Sequence, residues 1–220
     1  MGGKSVNQST ITLVIAVCLV SFDAQAQYGG GAGGAGDPYL ICTAEQMNEI
    51  GLHREDWDKH FKLMADIDLN SYAGTEFNII GYQVDGDVKP FTGVFDGNGK
   101  TISNFSYTST AADSVGLFAY VYGEQTGNAV IKNLGLINAN VDVGLIDPDV
   151  DAGINRGVGS LVGSAINGTI NNCYVQGGSV SGDENVGGLV GKNLGWFVCI
   201  RCWQCRHNDQ LLFDRQCFGR

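Results

Sequence analysis

The chain carries little charge and few basic residues. Only 16% of its 220 residues are charged, and 13 Lys and Arg stand against 23 Asp and Glu, which gives a formal net charge of −10. Nucleic-acid binding depends on Lys and Arg that neutralise phosphates, so this balance argues against nucleic acid as a partner. An acidic, weakly charged surface is typical of a soluble extracellular protein.

Long apolar runs are also scarce. Residues 11–20 form an apolar run that follows Lys4 and precedes Ala24-Gln25-Ala26. This order is typical of a secretory signal peptide, and the run is shorter than the roughly 20 residues of a membrane span. We predict a signal peptide over residues 1–26 and a secreted or cell-surface location without a membrane span. A lipid anchor at Cys18 is disfavoured because the preceding valine is bulky.

Proline is rare, with 3 residues, whereas glycine is abundant, with 33. Residues 28–36 read YGGGAGGAG, which predicts a flexible linker over residues 27–37. The 184 residues after this run are enough for one domain with an apolar core. No stretch between residues 75 and 195 shows helical periodicity, so an all-β domain is expected.

Internal repeats are the clearest pattern. Residues 158–163 read VGSLVG and recur 28 residues later as VGGLVG, and variants are VGLF at 115–118 and TGVF at 92–95. A second element, Ile-x-Asn before an apolar residue, contains Asn104, Asn133 and Asn172, at spacings of 29 and 39 residues. The longer spacing predicts an insertion over residues 142–156.

A fixed period favours a solenoid, in which each repeat buries its apolar side against the next. Short, evenly spaced strands could also form a sandwich. In a solenoid, successive coils pair in parallel about 4.8 Å apart. We therefore predict solenoid repeats over residues 75–195, with a ladder of Asn104, Asn133 and Asn172 along the axis. Glycines would supply the positive φ of tight corners.

Residues 38–74 are predicted to cap one end of the solenoid and to form its first coil. Thr43 and Gln46 stand at the spacing of a capping box, and Gly51 can end the short helix that follows. Apolar residues then alternate with polar ones over residues 61–69, which predicts a half-buried strand.

These motifs resemble the GLUG-motif repeat family of bacterial cell-surface and secreted proteins. The resemblance is carried by residues 186–191 (VGGLVG), 172–174 (NCY) and 178–182 (GSVSG), and by leader-like segments at 39–45 and 91–102. It covers roughly residues 38 to 193. It implies a right-handed parallel β-helix and an adhesin-like role at the cell surface. GLUG repeats also accompany some IgA-specific metallopeptidases, but this chain has no His-Glu-x-x-His motif.

The tail, residues 196–220, breaks the pattern and holds four of the seven cysteines. Thiolates at such spacing could bind zinc or an iron–sulfur cluster; the candidate ligands are Cys199, Cys202, Cys205, His207 and Cys217. An ordinary C-terminal cap is a further alternative.

A frameshift explains the same tail better. The codons for residues 209–220, read one nucleotide later, permit TNCYSTGSVSG, which nearly repeats residues 172–182. We therefore interpret the tail as aberrant, with a frame change near Gly195. Further repeats or an anchoring module would follow in the restored frame, and sequencing the gene across these codons tests the idea.

Two acidic groups are candidate sites. Asp147, Asp149 and Asp151 alternate like the start of a calcium loop, but Ala152 replaces the required glycine, which favours a solvated loop. Asp66 and Asp68 share one strand face and could form a carboxylate pair for glycoside chemistry. An exposed polar face is the favoured interpretation.

The remaining candidates are also interpreted as structural. We expect His53 and His60 on the surface and Cys42 and Cys173 as buried thiols without a disulfide. Aromatic side chains could line a sugar-binding face or lie in the core; they are Tyr107, Tyr120, Tyr122 and Tyr174.

The sequence thus predicts a monomeric, non-enzymatic, adhesin-like scaffold without cofactor, metal or catalytic residues. An extracellular glycan or another cell-surface molecule would be its partner. A fragment of a β-helix polysaccharide lyase or glycoside hydrolase, and a passive stalk, are the alternatives.

Overall fold

The computed structural model describes residues 27–84, 87–110, 114–124, 128–144 and 156–195, and the backbone of four strands between residues 199 and 217. This part of the chain is all-β, apart from one α-helix, α1 (Ala44–Leu52), and one 3-10 turn (Arg54–Asp56). The predicted signal peptide, residues 1–26, lies outside the described residues.

Short strands make up most of the fold. The first nine are β1 (Tyr39–Ile41), β2 (His60–Leu63), β3 (Ile67–Asp68), β4 (Tyr82–Val84), β5 (Asp87–Lys89), β6 (Val94–Asp96), β7 (Thr101–Ser103), β8 (Ser106–Ser109) and β9 (Ser114–Val115). The next nine are β10 (Phe118–Tyr122), β11 (Val130–Lys132), β12 (Gly135–Val143), β13 (Gly157–Gly159), β14 (Val162–Ile166), β15 (Thr169–Asn171), β16 (Tyr174–Ser181), β17 (Val186–Gly187) and β18 (Val190–Leu194). Four more lie in the tail: β19 (Cys199–Arg201), β20 (Cys205–His207), β21 (Gln210–Leu212) and β22 (Arg215–Cys217).

Sixteen of the first eighteen strands belong to four sheets, and from β9 onward the chain visits these sheets in the same order in each round. One sheet has the order β1-β2-β6-β11-β15, a second β3-β7-β12-β16 with β8 also on β12, a third β9-β13-β17 and a fourth β10-β14-β18. All neighbours in these four sheets are parallel. Antiparallel pairs are confined to β4–β5 and to the tail, where β19 pairs with β22 and β20 with β21.

Equivalent residues of successive strands stack in the core. In the first sheet Phe95 pairs with Phe61 on one side and with Ile131 on the other, and Ile131 pairs with Ile170. All four side chains are at most 1% exposed. Each buried side chain of this size contributes about 1.5–3 kcal/mol, so this column is a main source of stability.

The VG repeats align as the sequence predicts. Val158 pairs with Val186 and with Val115, which places residues 115–118 beside the two longer repeats. Residues 92–95 were expected to be a further copy, and that prediction is wrong. Val94 begins β6, which pairs in the first sheet rather than beside Val115.

The predicted asparagine ladder is only partly correct. Asn172 Nδ2 donates to Asn133 Oδ1 at 3.0 Å, so these two residues stack. Asn104 follows Ser103, which pairs with Ile137, and its own amide donates to Asp68 Oδ1 at 2.8 Å. Asn104 therefore lies at the next corner, because the same Ile-x-Asn pattern occurs at two corners of one round.

The insertion lies close to its predicted place. Asp142 pairs with Ser181, and Val158 pairs with Val186. Asp142 and Val158 are 16 positions apart in the sequence, whereas Ser181 and Val186 are only five apart. Asp142 itself still pairs within β12, so the extra residues lie after it. Residues 145–155, including Asp147, Asp149 and Asp151, lie outside the described part of the chain.

Nine of the described glycines have positive φ, as predicted, but the glycines of the VG repeats have a different role. None of Gly116, Gly159 and Gly187 is among the residues with positive φ. A Cβ at Gly159 would instead lie 2.3 Å from the Val162 carbonyl oxygen and 2.7 Å from the Gly191 nitrogen. The repeat needs glycine because neighbouring backbone segments come too close for a side chain.

Helix α1 begins as the capping-box pattern predicts. The Thr43 side chain accepts a hydrogen bond from the Gln46 nitrogen, and the Gln46 side chain accepts one from the Cys42 nitrogen at 2.8 Å. Gly51 does not end the helix, which runs to Leu52. The Cα of Gly51 packs against Asn78, and a Cβ on Gly51 would lie 2.0 Å from the Asn78 carbonyl oxygen.

The glycine-rich segment, residues 27–37, is held to the fold by hydrogen bonds, in contrast to the flexible linker that was predicted. Gly29 donates a backbone hydrogen bond to Leu40, and Leu40 donates one to Gly30. Tyr28 is 5% exposed, and its hydroxyl donates to Asp56 Oδ2 at 3.2 Å. The prediction failed because a single buried tyrosine anchors a segment that has few other side chains.

The alternation over residues 61–69 is confirmed in its burial but not as one strand. Phe61, Leu63, Ile67 and Leu69 are all at most 3% exposed. The chain turns after Leu63, so that β2 joins the first sheet and β3 the second.

Candidate functional site: a polar cleft beside the N-terminal helix

Asp66 and Asp68, the predicted carboxylate pair, accept hydrogen bonds from nearby backbone and side-chain groups. Asp66 Oδ1 accepts hydrogen bonds from the nitrogen and the hydroxyl of Thr101, at 2.8 and 3.2 Å. Asp68 Oδ1 accepts from the Asn70 nitrogen at 3.1 Å and from the Asn104 amide. Both carboxylates hold corners between strands, which is a structural role.

Asp96, the last residue of β6, has a structural role at the turn that follows. Its carboxylate accepts from the Asn98 nitrogen at 2.8 Å and from Asn133 Nδ2 at 3.0 Å, and Lys132 Nζ lies 3.3 Å away. Partial burial alone would raise the pKa of Asp96, but the hydrogen bonds and the lysine outweigh it and hold the pKa below its ordinary value.

The histidines and the metal candidates form no site in the described part of the chain. His53 contacts Glu49 at 3.3 Å and Glu55 at 3.1 Å on the surface, and His60 is a half-buried residue of β2. Among the described residues, no three His, Cys, Asp or Glu side chains are placed to hold a metal ion. The side chains of the cysteine-rich tail lie outside the description.

The two cysteines differ from each other. Cys173 is a buried free thiol, as predicted, and burial raises its pKa to about 12. The expectation of a free thiol at Cys42 is wrong, because Cys42 is disulfide-bonded. The argument from local contacts between repeats does not apply to Cys42, because this residue precedes the repeats.

The four tyrosines considered for a sugar-binding face do not form one. Tyr107 and Tyr120 are buried, at 9% and 5% exposed. Tyr122 and Tyr174 are half-buried, and the Tyr174 ring lies against Gly135. The interpretation as core and ladder residues is therefore the better one for Tyr107 and Tyr120.

A cleft of about 480 Å³ lies between the end of α1 and the β4–β5 hairpin. Two contacts fix its walls. Trp57 Nε1 donates to the Ile50 carbonyl at 2.7 Å, and Asn48 Oδ1 accepts from the Asn78 nitrogen at 2.7 Å. The cleft is thus formed by residues from two parts of the chain about 30 positions apart.

Three polar side chains along this cleft form a chain of contacts. Arg54 Nη1 donates to the Tyr82 hydroxyl at 3.0 Å, and that hydroxyl donates to Asp87 Oδ2 at 2.6 Å. The guanidinium carbon lies 4.4 Å from the centroid of the Tyr82 ring, within the range of a cation–π contact. The hydrogen bond to Asp87 raises the pKa of Tyr82 above its ordinary value, so the hydroxyl stays protonated.

The sequence predictions missed this cleft. In this part of the chain only His53 and His60 were considered, and Tyr82 and Asp87 belong to a separate hairpin. A local signal existed in the pairing of an exposed Arg54 with a nearby tryptophan. Only the tertiary structure shows that Tyr82 meets them.

No helix among the described residues is long and apolar enough to cross a membrane. No model of a known protein family matches the chain. The chain is similar to halomucin of Haloquadratum walsbyi, with 36% identity over 168 residues that cover 74% of this chain and 2% of that protein. It is also similar to a protein of Evansella cellulosilytica named "Putative Gly-rich membrane protein", with 33% identity over 199 residues that cover 76% of this chain and 21% of that protein. The chain thus spans only a small part of either relative.

The chain also has a low similarity to one solved structure. That structure is titled a "putative immunoglobulin A1 protease" from Bacteroides ovatus, with 19% identity, a TM-score of 0.47, and coverage of 81% of this chain and 60% of that one.

Proposed function

We propose that this chain is part of a secreted or surface-displayed protein, in which residues 38–195 form a right-handed parallel β-helix of the GLUG-repeat type. It would serve as a structural, adhesin-like scaffold without catalysis. The names of its two relatives, a halomucin and a Gly-rich membrane protein, support a surface role. The export signal predicted over residues 1–26 agrees with that role.

The observation that carries the proposal is the repeated register of the four parallel sheets. Residues Ile131 and Ile170, 39 positions apart, pair in the first sheet, and Val162 and Val190 pair in the fourth. From β9 to β16, each round of the chain adds one strand to each of the four sheets, and β17 and β18 begin the next round. A fold of this type lengthens with every repeat, which suits a protein that holds a binding surface away from the cell.

The alternative, a carbohydrate-active enzyme, has less support. Glycoside hydrolysis uses two carboxylates that flank the scissile bond. Asp66 and Asp68 are the predicted pair, and each already holds a backbone corner through Oδ1. A role in binding therefore agrees better with these residues than a role in bond cleavage.

Expression of the full chain in a bacterial host tests the proposal. We expect export, with a mature N-terminus at Gln27 by mass spectrometry, and no release of reducing sugar from plant or bacterial polysaccharides. A crystal structure of the exported protein should show right-handed stacked coils. Retention in the cytoplasm with an intact N-terminus, a sandwich of sheets, or sugar release would each overturn the proposal.

A further inference from the structure

We propose that the cleft bounded by Arg54, Tyr82 and Asp87 binds an uncharged oligosaccharide. This inference deepens the proposed function, and it depends on that function only because the cleft must face the outside of the cell. Of the four tyrosines considered in the sequence, Tyr107 also lines the cleft, but it is only 9% exposed and the inference does not depend on it.

The polar side of the cleft offers both partners that a sugar hydroxyl requires. A guanidinium has five N–H donors, and Arg54 uses one of them for the Tyr82 hydroxyl. Asp87 accepts from Tyr82 through Oδ2. Within the described part of the chain, Arg54 and Asp87 make only these side-chain hydrogen bonds. The remaining N–H groups of Arg54 and the Oδ1 atom of Asp87 are therefore available to a ligand. Adjacent hydroxyls of a sugar can accept a hydrogen bond from Arg54 and donate one to Asp87.

The apolar side of the cleft suits the C–H faces of a sugar ring. Leu52 is 55% exposed at its edge, while Trp57 and Phe77, at 2% and 1%, form buried wall. Small-molecule sites are typically about 300–1,000 Å³, mostly apolar and oriented by a few polar groups. The volume of about 480 Å³ falls within that range, and Arg54, Tyr82 and Asp87 are the orienting polar groups.

The charges favour an uncharged sugar over an acidic one. Arg54 is the cation of the cleft, and the carboxylate of Asp87 is coupled to it through the Tyr82 hydroxyl. The positive charge of Arg54 is therefore already partly compensated by Asp87. A uronate or a phosphate would also be repelled by a chain of formal net charge −10. A neutral glycan avoids this repulsion and uses both groups.

The network is also arranged before a ligand arrives. Tyr82 packs edge-on against Trp57, with ring centroids 6.0 Å apart, and its hydroxyl positions Arg54 and Asp87 on either side. Groups that are held in place lose less side-chain entropy when they bind. Tyr82 is therefore inferred to be a positioning residue, whereas Arg54 and Asp87 contact the sugar.

Titration calorimetry and saturation-transfer NMR of the full chain test this inference. The probes are hexaoses of β-1,4-glucose, α-1,4-glucose, β-1,4-mannose and β-1,4-xylose, with hexagalacturonate as the acidic comparison. At least one neutral hexaose should bind. Arg54→Met and Asp87→Asn should each weaken it about tenfold or more, since a hydrogen bond to a charged group is worth about 1.5–3 kcal/mol.

Asp183→Asn provides the matched control, because Asp183 is an exposed carboxylate in the turn between β16 and β17. It should leave binding unchanged, and circular dichroism should show that all variants remain folded. Tyr82→Phe should weaken binding while Arg54 and Asp87 are intact, as expected of a positioning role. The inference is overturned if no neutral hexaose binds, if both cleft variants bind like the parent, or if hexagalacturonate binds best. An exported, stacked protein with no sugar binding would refute the cleft alone and leave the proposed function standing.

Discussion

Asn172 Nδ2 donates a hydrogen bond to Asn133 Oδ1 at 3.0 Å, although the two residues are 39 positions apart in the sequence. Both have left-handed backbone conformations, with φ of 53° and 55°. Asn133 in turn donates to Asp96 Oδ1 at 3.0 Å. One corner of three successive strands is therefore linked by side-chain amides.

We expect Asn133→Ala to destabilise the protein more than Asn133→Gly. Alanine loses the hydrogen bonds and also strains the positive φ, at about 1–3 kcal/mol for the strain, whereas glycine loses only the hydrogen bonds. Chemical denaturation gives the free energies of unfolding. Asn193→Ala, at an exposed residue of β18, is the control and should change stability by less than about 0.5 kcal/mol. Equal effects of Ala and Gly would contradict the role of backbone conformation.

Two glycines in successive copies of the VG repeat should respond differently to alanine. Gly159→Ala places a Cβ 2.3 Å from the Val162 carbonyl oxygen, and overpacking of this kind costs about 1–3 kcal/mol. Gly188 has no heavy atom within 4 Å of its Cβ position, so Gly188→Ala should be neutral or slightly stabilising. Thermal unfolding followed by circular dichroism measures both, and a similar loss in the two variants would refute the close-approach explanation.

Asp96 should make the protein sensitive to acid. The pKa of Asp96 is lowered in the folded state, so its stabilising contribution is complete above the unfolded-state pKa of about 3.9. That contribution is lost as the pH falls through the lower folded-state pKa. Urea denaturation across this range should therefore show a smaller loss of stability on acidification in Asp96→Asn than in the parent. Asp183→Asn, which removes an exposed carboxylate, should retain the parent's profile; a profile altered as much as that of Asp96→Asn would contradict the assignment.

Cys173 should resist alkylation in the folded protein. Its thiol is buried, and its pKa is raised to about 12, while the thiolate is the reactive form. Peptide-resolved mass spectrometry after iodoacetamide treatment should find this residue unmodified at neutral pH and fully modified in denaturant. Rapid labelling without denaturant would show that the last rounds of the chain open readily.

Much of the fold could be predicted because its signals are local or periodic. Thr43 and Gln46 mark the start of α1 within four residues, and the VG repeats place Val158 beside Val186. Asn104 was misplaced because one short motif occurs at two corners of a round. The spacing alone does not tell which corner a copy occupies.

The cleft was beyond prediction for a related reason. Arg54 and Tyr82 are 28 positions apart and follow no repeat, so nothing in the pattern brings them together. The same holds for Tyr28 and Asp56, whose hydrogen bond holds an apparent linker to the fold. Irregular contacts of this kind depend on the tertiary packing within residues 27–57 and between these residues and the β4–β5 hairpin.

By itself, the sequence determined the all-β character, the helix that begins after Thr43, the alternation of buried residues around Phe61 and the stacking of the VG repeats. Each of these follows from periodicity or from hydrogen bonds between near neighbours. The tertiary structure decided which asparagines share a corner, that residues 27–37 are held to the fold by hydrogen bonds, that Cys42 is disulfide-bonded, and that Arg54, Tyr82 and Asp87 meet in one cleft. These depend on distances between segments that no local pattern encodes.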